Sequence, residues 1–314
     1  MIKRAKVTVV GAGFVGATTA QRIVEKELAD VVLVDVVEGL PQGKALDMAE
    51  SSSVEQFDTV ITGANQYEET HDSDLIVITA GLARKPGMSR DDLLYKNAEI
   101  ISGIIAQACP LSPQACLITV TNPLDVMTYL AWKKSGFEPN RVLGMAGVLD
   151  SARYSYFLAQ ELGVSPKDVR AMVLGGHGDS MVPLPNHSTV NGVPVAQLIR
   201  PERIEAINQR ARDGGIEIVN LLKTGSAFYA PSSAVCAMVE AILGDTGRLL
   251  PCCAYLTGQY GLRDVYCGVP VKLGSGGVKE IVEIKLSAAE LASLQKSAGD
   301  VKENVAKLNS KQFV

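Results

Sequence analysis

The stretch KVTVVGAGFVG, running from Lys6 to Gly16, decides the fold. Lys6–Val10 is a β-branched run with the character of a buried strand, and Val15–Glu27 carries apolar residues at helical spacing. Between them Gly11, Gly13 and Gly16 fall at the spacing GxGxxG. Gly11 permits a tight turn, Gly13 lets a pyrophosphate approach the backbone, and Gly16 lets helix and strand pack closely. With Ala12, Phe14 and Val15 they make a loop at a helix N-terminus, where unpaired N–H groups and the helix dipole favour an anion. Asp35 ends the next strand candidate, Val31–Asp35, 19 residues beyond Gly16. A carboxylate there accepts hydrogen bonds from an adenosine ribose and repels a 2′-phosphate. Val36, Val37 and Glu38 follow with no arginine among them, so the expected dinucleotide is NAD rather than NADP.

Outward from this unit, strands and helices alternate. A helix is expected at Leu40–Ser51, a strand at Thr59–Thr62, a strand at Asp74–Thr79 and a long helix at Asp92–Ala108. Cys116–Thr121, a helix over Leu124–Ser135 and a strand at Arg141–Gly144 complete the series. Continuous apolar strands separated by helices indicate a parallel sheet covered on both faces, a doubly wound α/β Rossmann arrangement over residues 1–145.

The second part, 146–314, reads as a mixed α+β domain. It has helices at Asp150–Leu162, Glu202–Leu222 (interrupted by Gly214–Gly215) and Ser232–Leu243, and a strand at Val169–Leu174. A hairpin turn is signalled at Asn191–Gly192, and two strands are expected around Leu249–Thr257 and Val265–Leu273. A capping box, Ser287-x-x-Glu290, starts the last helix.

Composition removes other classes. The 314 residues are 47% hydrophobic and 20% charged, as in globular proteins and unlike disordered chains. Thirty Lys+Arg against 34 Asp+Glu leave no basic footprint for nucleic acid. The apolar run before Gly11 is too short for a signal peptide, and nothing approaches a membrane span. Six cysteines lie without CxxC or metal spacing, so free buried thiols, no metal and a cytoplasmic location are expected.

There are three histidines. His71 lies in the polar segment EETHDSD and His187 in a loop with no evident partner, whereas His177 sits in GGHGD at a strand end. Flanking glycines let a ligand come close, a freedom a core histidine does not need; taken alone, His177 is equally readable as catalytic or structural.

The ordered set GAGFVG, Asp35, ARKPGMSR, VTNP, GVLDSAR and GGHGD resembles the lactate/malate dehydrogenase superfamily over essentially the whole chain. Within it the closest likeness is to the malate dehydrogenases of lactate-dehydrogenase-like type, which implies reversible oxidation of (S)-malate by NAD, a step of the tricarboxylic acid cycle. The resemblance makes His177 the proton-transfer base and Asp150 the carboxylate that orients it, although Asp150 alone is also readable as a helix N-cap. It gives Arg153 the grip on the substrate's C1 carboxylate, and Arg90 the closing of a mobile loop over the substrate. Asn122 is implied as a hydrogen-bond partner of the substrate oxygen, and Ser226 as part of the substrate pocket. Thr79, Ala80, Gly81, Asn97, Val120 and Thr121, with the backbone of Asn122, are implied to lie along the cofactor. A homodimer or homotetramer is also implied.

Arg84 is expected to choose the substrate. Malate and oxaloacetate carry a second carboxylate that needs a cation on burial, while lactate enzymes have a neutral residue at this position. The plainer alternative is one more surface charge. Lactate or another 2-hydroxy acid is the alternative substrate. A glycosidase using NAD and manganese would need a cysteine beside His177, and a non-catalytic redox sensor would not need His177, Asp150 and three arginines together.

Overall fold

The computed structural model describes residues 4–83 and 87–313. Its elements are β1 (Lys6–Val10), α1 (Phe14–Glu25), β2 (Asp30–Val34), α2 (Leu40–Glu50), α3 (Ser52–Glu55), β3 (Ile61–Ala64), β4 (Leu75–Ile78), α4 (Arg90–Leu111), β5 (Cys116–Thr119), α5 (Leu124–Ser135) and β6 (Val142–Gly144). They continue through α6 (Gly147–Leu162), β7 (Val169–Arg170), β8 (Val173–Leu174), β9 (Val182–Pro183), β10 (Thr189–Val190), β11 (Val193–Pro194), α7 (Val195–Leu198) and α8 (Pro201–Leu222). The chain closes with α9 (Tyr229–Leu243), β12 (Arg248–Thr257), β13 (Arg263–Gly274), β14 (Gly277–Ile281) and α10 (Ala288–Ser310).

Strands β3-β2-β1-β4-β5-β6 are parallel neighbours. β4 and β5 lie at the middle of the sheet and are buried along their whole length, which is why LIVI and CLIT lack polar alternation. The chain leaves β1 toward β2 and returns on its other side as β4. That reversal opens a crevice beyond the carboxyl ends of β1 and β4, where ligands of doubly wound sheets bind.

The long strands of the second half extend the first sheet: β12 joins β6 by the single pair Cys253↔Gly144, so nine strands form one sheet ending β6-β12-β13-β14. The second half departs from the sequence reading in three ways. The third member of that meander, β14, has no counterpart in the sequence reading. Val169–Leu174 is not one strand; β7 pairs with β10 and β8 with β9. The ladder breaks because Ala171 and Met172 donate their N–H groups to the Ser155 and Ser188 hydroxyls. Finally, Gly214–Gly215 does not interrupt α8. A Cβ on Gly214 would stand 3.4 Å from Arg153 Cδ and 3.7 Å from Phe157, ordinary contact distances, and α8 packs on α6 despite a cost of about 1 kcal/mol per glycine in helix propensity.

Other features match the reading. Asn191 and Gly192, both at positive φ, turn β10 into β11, and Ser287 and Glu290 close a reciprocal capping box on α10. All six cysteines are free and buried. His187 does have a partner, the Lys285 carbonyl at 3.0 Å, while His71 is solvated beside Asp72. Among the described residues no helix is long and apolar enough to cross a membrane.

Candidate active site

The loop after β1 meets the end of β4. Gly11 sits at φ +105°, and a Cβ on it would stand 2.7 Å from Ala80 N and 2.8 Å from Thr79 Oγ1. A Cβ on Gly16 would overlap the Gly11 carbonyl oxygen. We expect Gly16→Ala to destabilise the fold by about 1–3 kcal/mol and to weaken NADH binding. An unchanged melting temperature and NADH titration would contradict this.

Around Gly13 the space is open, and no side chain caps α1, so its first N–H groups face outward. The Asp35 carboxylate, just past β2, is fixed by N–H groups of Ala12 (2.6 Å) and Val37 (2.9 Å). Phe14 is two-thirds exposed at the mouth and stacks on Phe228 at 5.1 Å. An uncapped helix N-terminus, a side-chain-free approach and a fixed carboxylate at the next strand end suit a dinucleotide without a 2′-phosphate.

Beyond β4 and β5 two loops are stitched together. Thr121 Oγ1 donates to the Ala80 carbonyl at 2.6 Å. Asn97 is fully buried; it donates to the carbonyls of Asn122 (2.7 Å) and Leu82 (3.2 Å) and accepts from Leu82 N–H (2.8 Å). Asn97 therefore holds the 81–82 turn against Asn122 and shapes the crevice from beneath. Gly81 fits because a Cβ would collide with the Thr121 methyl, and Val120 is half-buried on the same wall.

His177 follows β8 and lines a cavity of about 530 Å³ with Arg90, Asn122, Asp125 and Asp179. Its Nδ1 lies 2.9 Å from Asp150 Oδ2. An ionised carboxylate only accepts, so Nδ1 carries a proton and Nε2 is the atom left for exchange. Asp150 is not an N-cap: α6 begins at Gly147, which puts Asp150 in the first turn with its side chain 2% exposed. Burial alone would lower the imidazole's pKa, but the charge of Asp150 and its hydrogen bond outweigh that; Arg153 opposes and Asp125 assists, and the net direction is upward.

Arg153 stands one turn along α6, its Nη1 3.7 Å from Asp150 Oδ1, and its buried Nε has no hydrogen-bond partner. A buried, unpaired guanidinium N–H is a ready donor for a carboxylate. Arg90, the first residue of α4, is 81% exposed and reaches Asp179 of GGHGD at 3.3 Å. The fold thus gathers Arg90, Asn122 and His177 in one cavity, with Arg153 joined through Asp150. Ser226 is exposed ahead of α9 and is not among the residues lining that cavity. Arg84 lies outside the described residues.

Three contributors were missed by sequence reasoning. Lys44 donates to the Ala12 carbonyl at 2.6 Å and stands over the Phe14 ring, and Asn65 donates to the carbonyls of Asp35 and Val37. Nothing in their sequence context marks either. Asp125 does carry a signal: it is an acidic residue inside the apolar run LDVMTYLAW and is buried beside His177.

Residues 5–144 match the lactate/malate dehydrogenase NAD binding domain, and residues 147–312 match the lactate/malate dehydrogenase alpha/beta C-terminal domain. The chain belongs to the lactate/malate dehydrogenase family. A malate dehydrogenase of Chloroherpeton thalassium is 60% identical over 97% of this chain and 99% of its own. The solved malate dehydrogenase of Salinibacter ruber superposes with a TM-score of 0.94 at 54% identity, covering 98% of each chain. A lactate dehydrogenase of Cryptosporidium parvum, solved with lactic acid and β-nicotinamide adenine dinucleotide, superposes equally well, with a TM-score of 0.95 at 40% identity over 98% of this chain and 99% of its own. Within this family the backbone therefore does not choose the substrate; side chains do.

Proposed function

We propose that this member of the family is an NAD-dependent malate dehydrogenase, with residues 1–145 holding the cofactor and 146–314 supplying the proton-transfer and carboxylate-binding groups. The observation that carries the mechanism is the Asp150–His177 pair, buried at the rim of a cavity that Arg90 and Asn122 share. NAD, when bound, supplies the hydride acceptor. The chain's residues then have defined tasks. His177 takes the hydroxyl proton at Nε2 and returns it in the reverse direction, while Asp150 stabilises the imidazolium. Arg153 binds the C1 carboxylate through its unpaired donors. Asn122 donates to the substrate oxygen, and Arg90 moves from Asp179 to that oxygen as the site closes. Ser226 contributes to the pocket only if its loop approaches during that closure. The relatives named malate dehydrogenase and the presence of Arg84 support a dicarboxylate, malate or oxaloacetate, over lactate.

The exposed apolar residues Leu46 and Val54, and Ile216, Val219 and Leu221 on α8, support a homodimer or homotetramer. Light scattering should then give a multiple of 33.3 kDa. Six reduced, buried thiols support a cytoplasmic setting.

The pH dependence follows from the sign of the His177 shift. Reduction of oxaloacetate needs the imidazolium, so its kcat/KM should fall as pH rises through the His177 midpoint. Oxidation of malate needs neutral imidazole and should rise through the same midpoint. Because Asp150 holds the proton, that midpoint should lie above the ordinary histidine range near 6.5. Opposed profiles crossing above that range are expected; a shared midpoint below it would overturn the assignment.

A further inference from the structure

We propose that Asp125 is a positioning residue for His177, acting by accepting the His177 backbone N–H. This rests on the reading of His177 as the proton-transfer base. Asp125 lies in the first turn of α5 and is 4% exposed. Its Oδ2 accepts from His177 N at 2.8 Å.

The residues before His177 are fixed independently. Gly175 exchanges two backbone hydrogen bonds with Gly268, and Gly176 N–H donates to the Ser297 hydroxyl at 2.8 Å. After His177 the chain runs into Gly178, at φ +115°, and the exposed Asp179. Asp125 thus holds the backbone at the residue that carries the imidazole. Asp150 sets the ring's orientation; Asp125 sets where the ring starts.

The groups facing Asp125 are few. His177 and Asp150 lie near it, as do the buried thiols of Cys253 on β12 and Cys267 on β13. No Lys or Arg pairs with the carboxyl among the described residues, and burial pushes its pKa up, a tendency that the His177 N–H opposes. What holds the His177 backbone is an acceptor oxygen. Substitution by asparagine keeps such an oxygen, whereas substitution by leucine keeps the volume and removes it.

The test compares Asp125→Asn and Asp125→Leu in the full-length protein. Asp125→Asn should keep kcat for oxaloacetate within about threefold of the parent and lower the pH midpoint less than Asp125→Leu does, through loss of the carboxyl's charge alone. Asp125→Leu should lower kcat by roughly 30-fold or more, with NADH binding and KM for oxaloacetate within about threefold. Its midpoint should also move to lower pH, because a displaced ring loses part of its contact with Asp150. A Leu variant with parental kcat and midpoint, or Asn and Leu variants equally impaired, would overturn the proposal. If the Leu variant does not fold, the Asn variant decides: a tenfold or larger fall in kcat contradicts an acceptor role, and retention supports it. Failure of the base reading would show differently, as substantial turnover in a His177 variant.

Discussion

Replacing His177 by asparagine should lower kcat for oxaloacetate reduction by roughly 10²–10⁴-fold, the range typical of a lost general acid–base group. NADH binding should be almost unaffected, because the cofactor crevice is built from the β1 loop, Asp35 and the β4 and β5 ends, none of which rests on the imidazole. The fold should survive as well. The Asn amide keeps an N–H that the buried Asp150 carboxylate can accept, which avoids stranding that charge. Turnover, an NADH titration and a melting curve on the same preparation separate these effects. Turnover near the parental rate would remove His177 from proton transfer, and with it the role given to Asp150.

Arg84→Gln should change which substrate is used. Oxaloacetate brings two carboxylates, and in the proposed reading Arg153 binds the first and Arg84 the second. A charge left buried without its partner costs about 3–5 kcal/mol. At 1.36 kcal/mol per tenfold change in rate, kcat/KM for oxaloacetate should fall by roughly 10²-fold or more. Pyruvate has a methyl group where the second carboxylate would be, so removing the cation should leave its kcat/KM unchanged or raise it. Steady-state assays on both keto acids decide the matter. Equal losses on the two substrates would return Arg84 to the status of a surface charge.

How far the sequence is legible depends on whether the physics is local. The first half is read nearly to the residue. Lys6–Val10 and Leu124–Ser135 agree fully, because a buried parallel strand writes a continuous β-branched run and the helix is bracketed by Pro123 and Gly136. The third strand is displaced, lying at Ile61–Ala64 rather than Thr59–Thr62, since a four-residue strand has too little periodicity to place its ends. In the second half the determining contacts are distant. The broken strand at Ala171–Met172 depends on serines 16 residues away in both directions. The junction of β12 with β6 rests on one residue pair more than a hundred positions apart, and no sequence window contains it. The uninterrupted α8 has the same origin, because its packing on α6 outweighs the helix propensity lost at Gly214 and Gly215.

At the site, motif residues were legible and their supports were not. The glycine loop, Asp35, Asp150 and His177 stand in recognisable strings. Lys44, Asn65 and Ser297 act through backbone atoms of residues remote in sequence, so nothing beside them marks the role. Asn97 is an intermediate case: it is implied to lie along the cofactor, yet its amide is wholly engaged in holding the loop that does.

The central claim is that the chain supports hydride exchange between NADH and a dicarboxylate while His177 exchanges the accompanying proton. The direct measurement follows NADH absorbance with purified protein and either oxaloacetate or pyruvate. The account predicts rapid NADH oxidation with oxaloacetate and a kcat/KM at least about 10²-fold below it for pyruvate. No oxidation with oxaloacetate, or pyruvate consumed as efficiently, would contradict it.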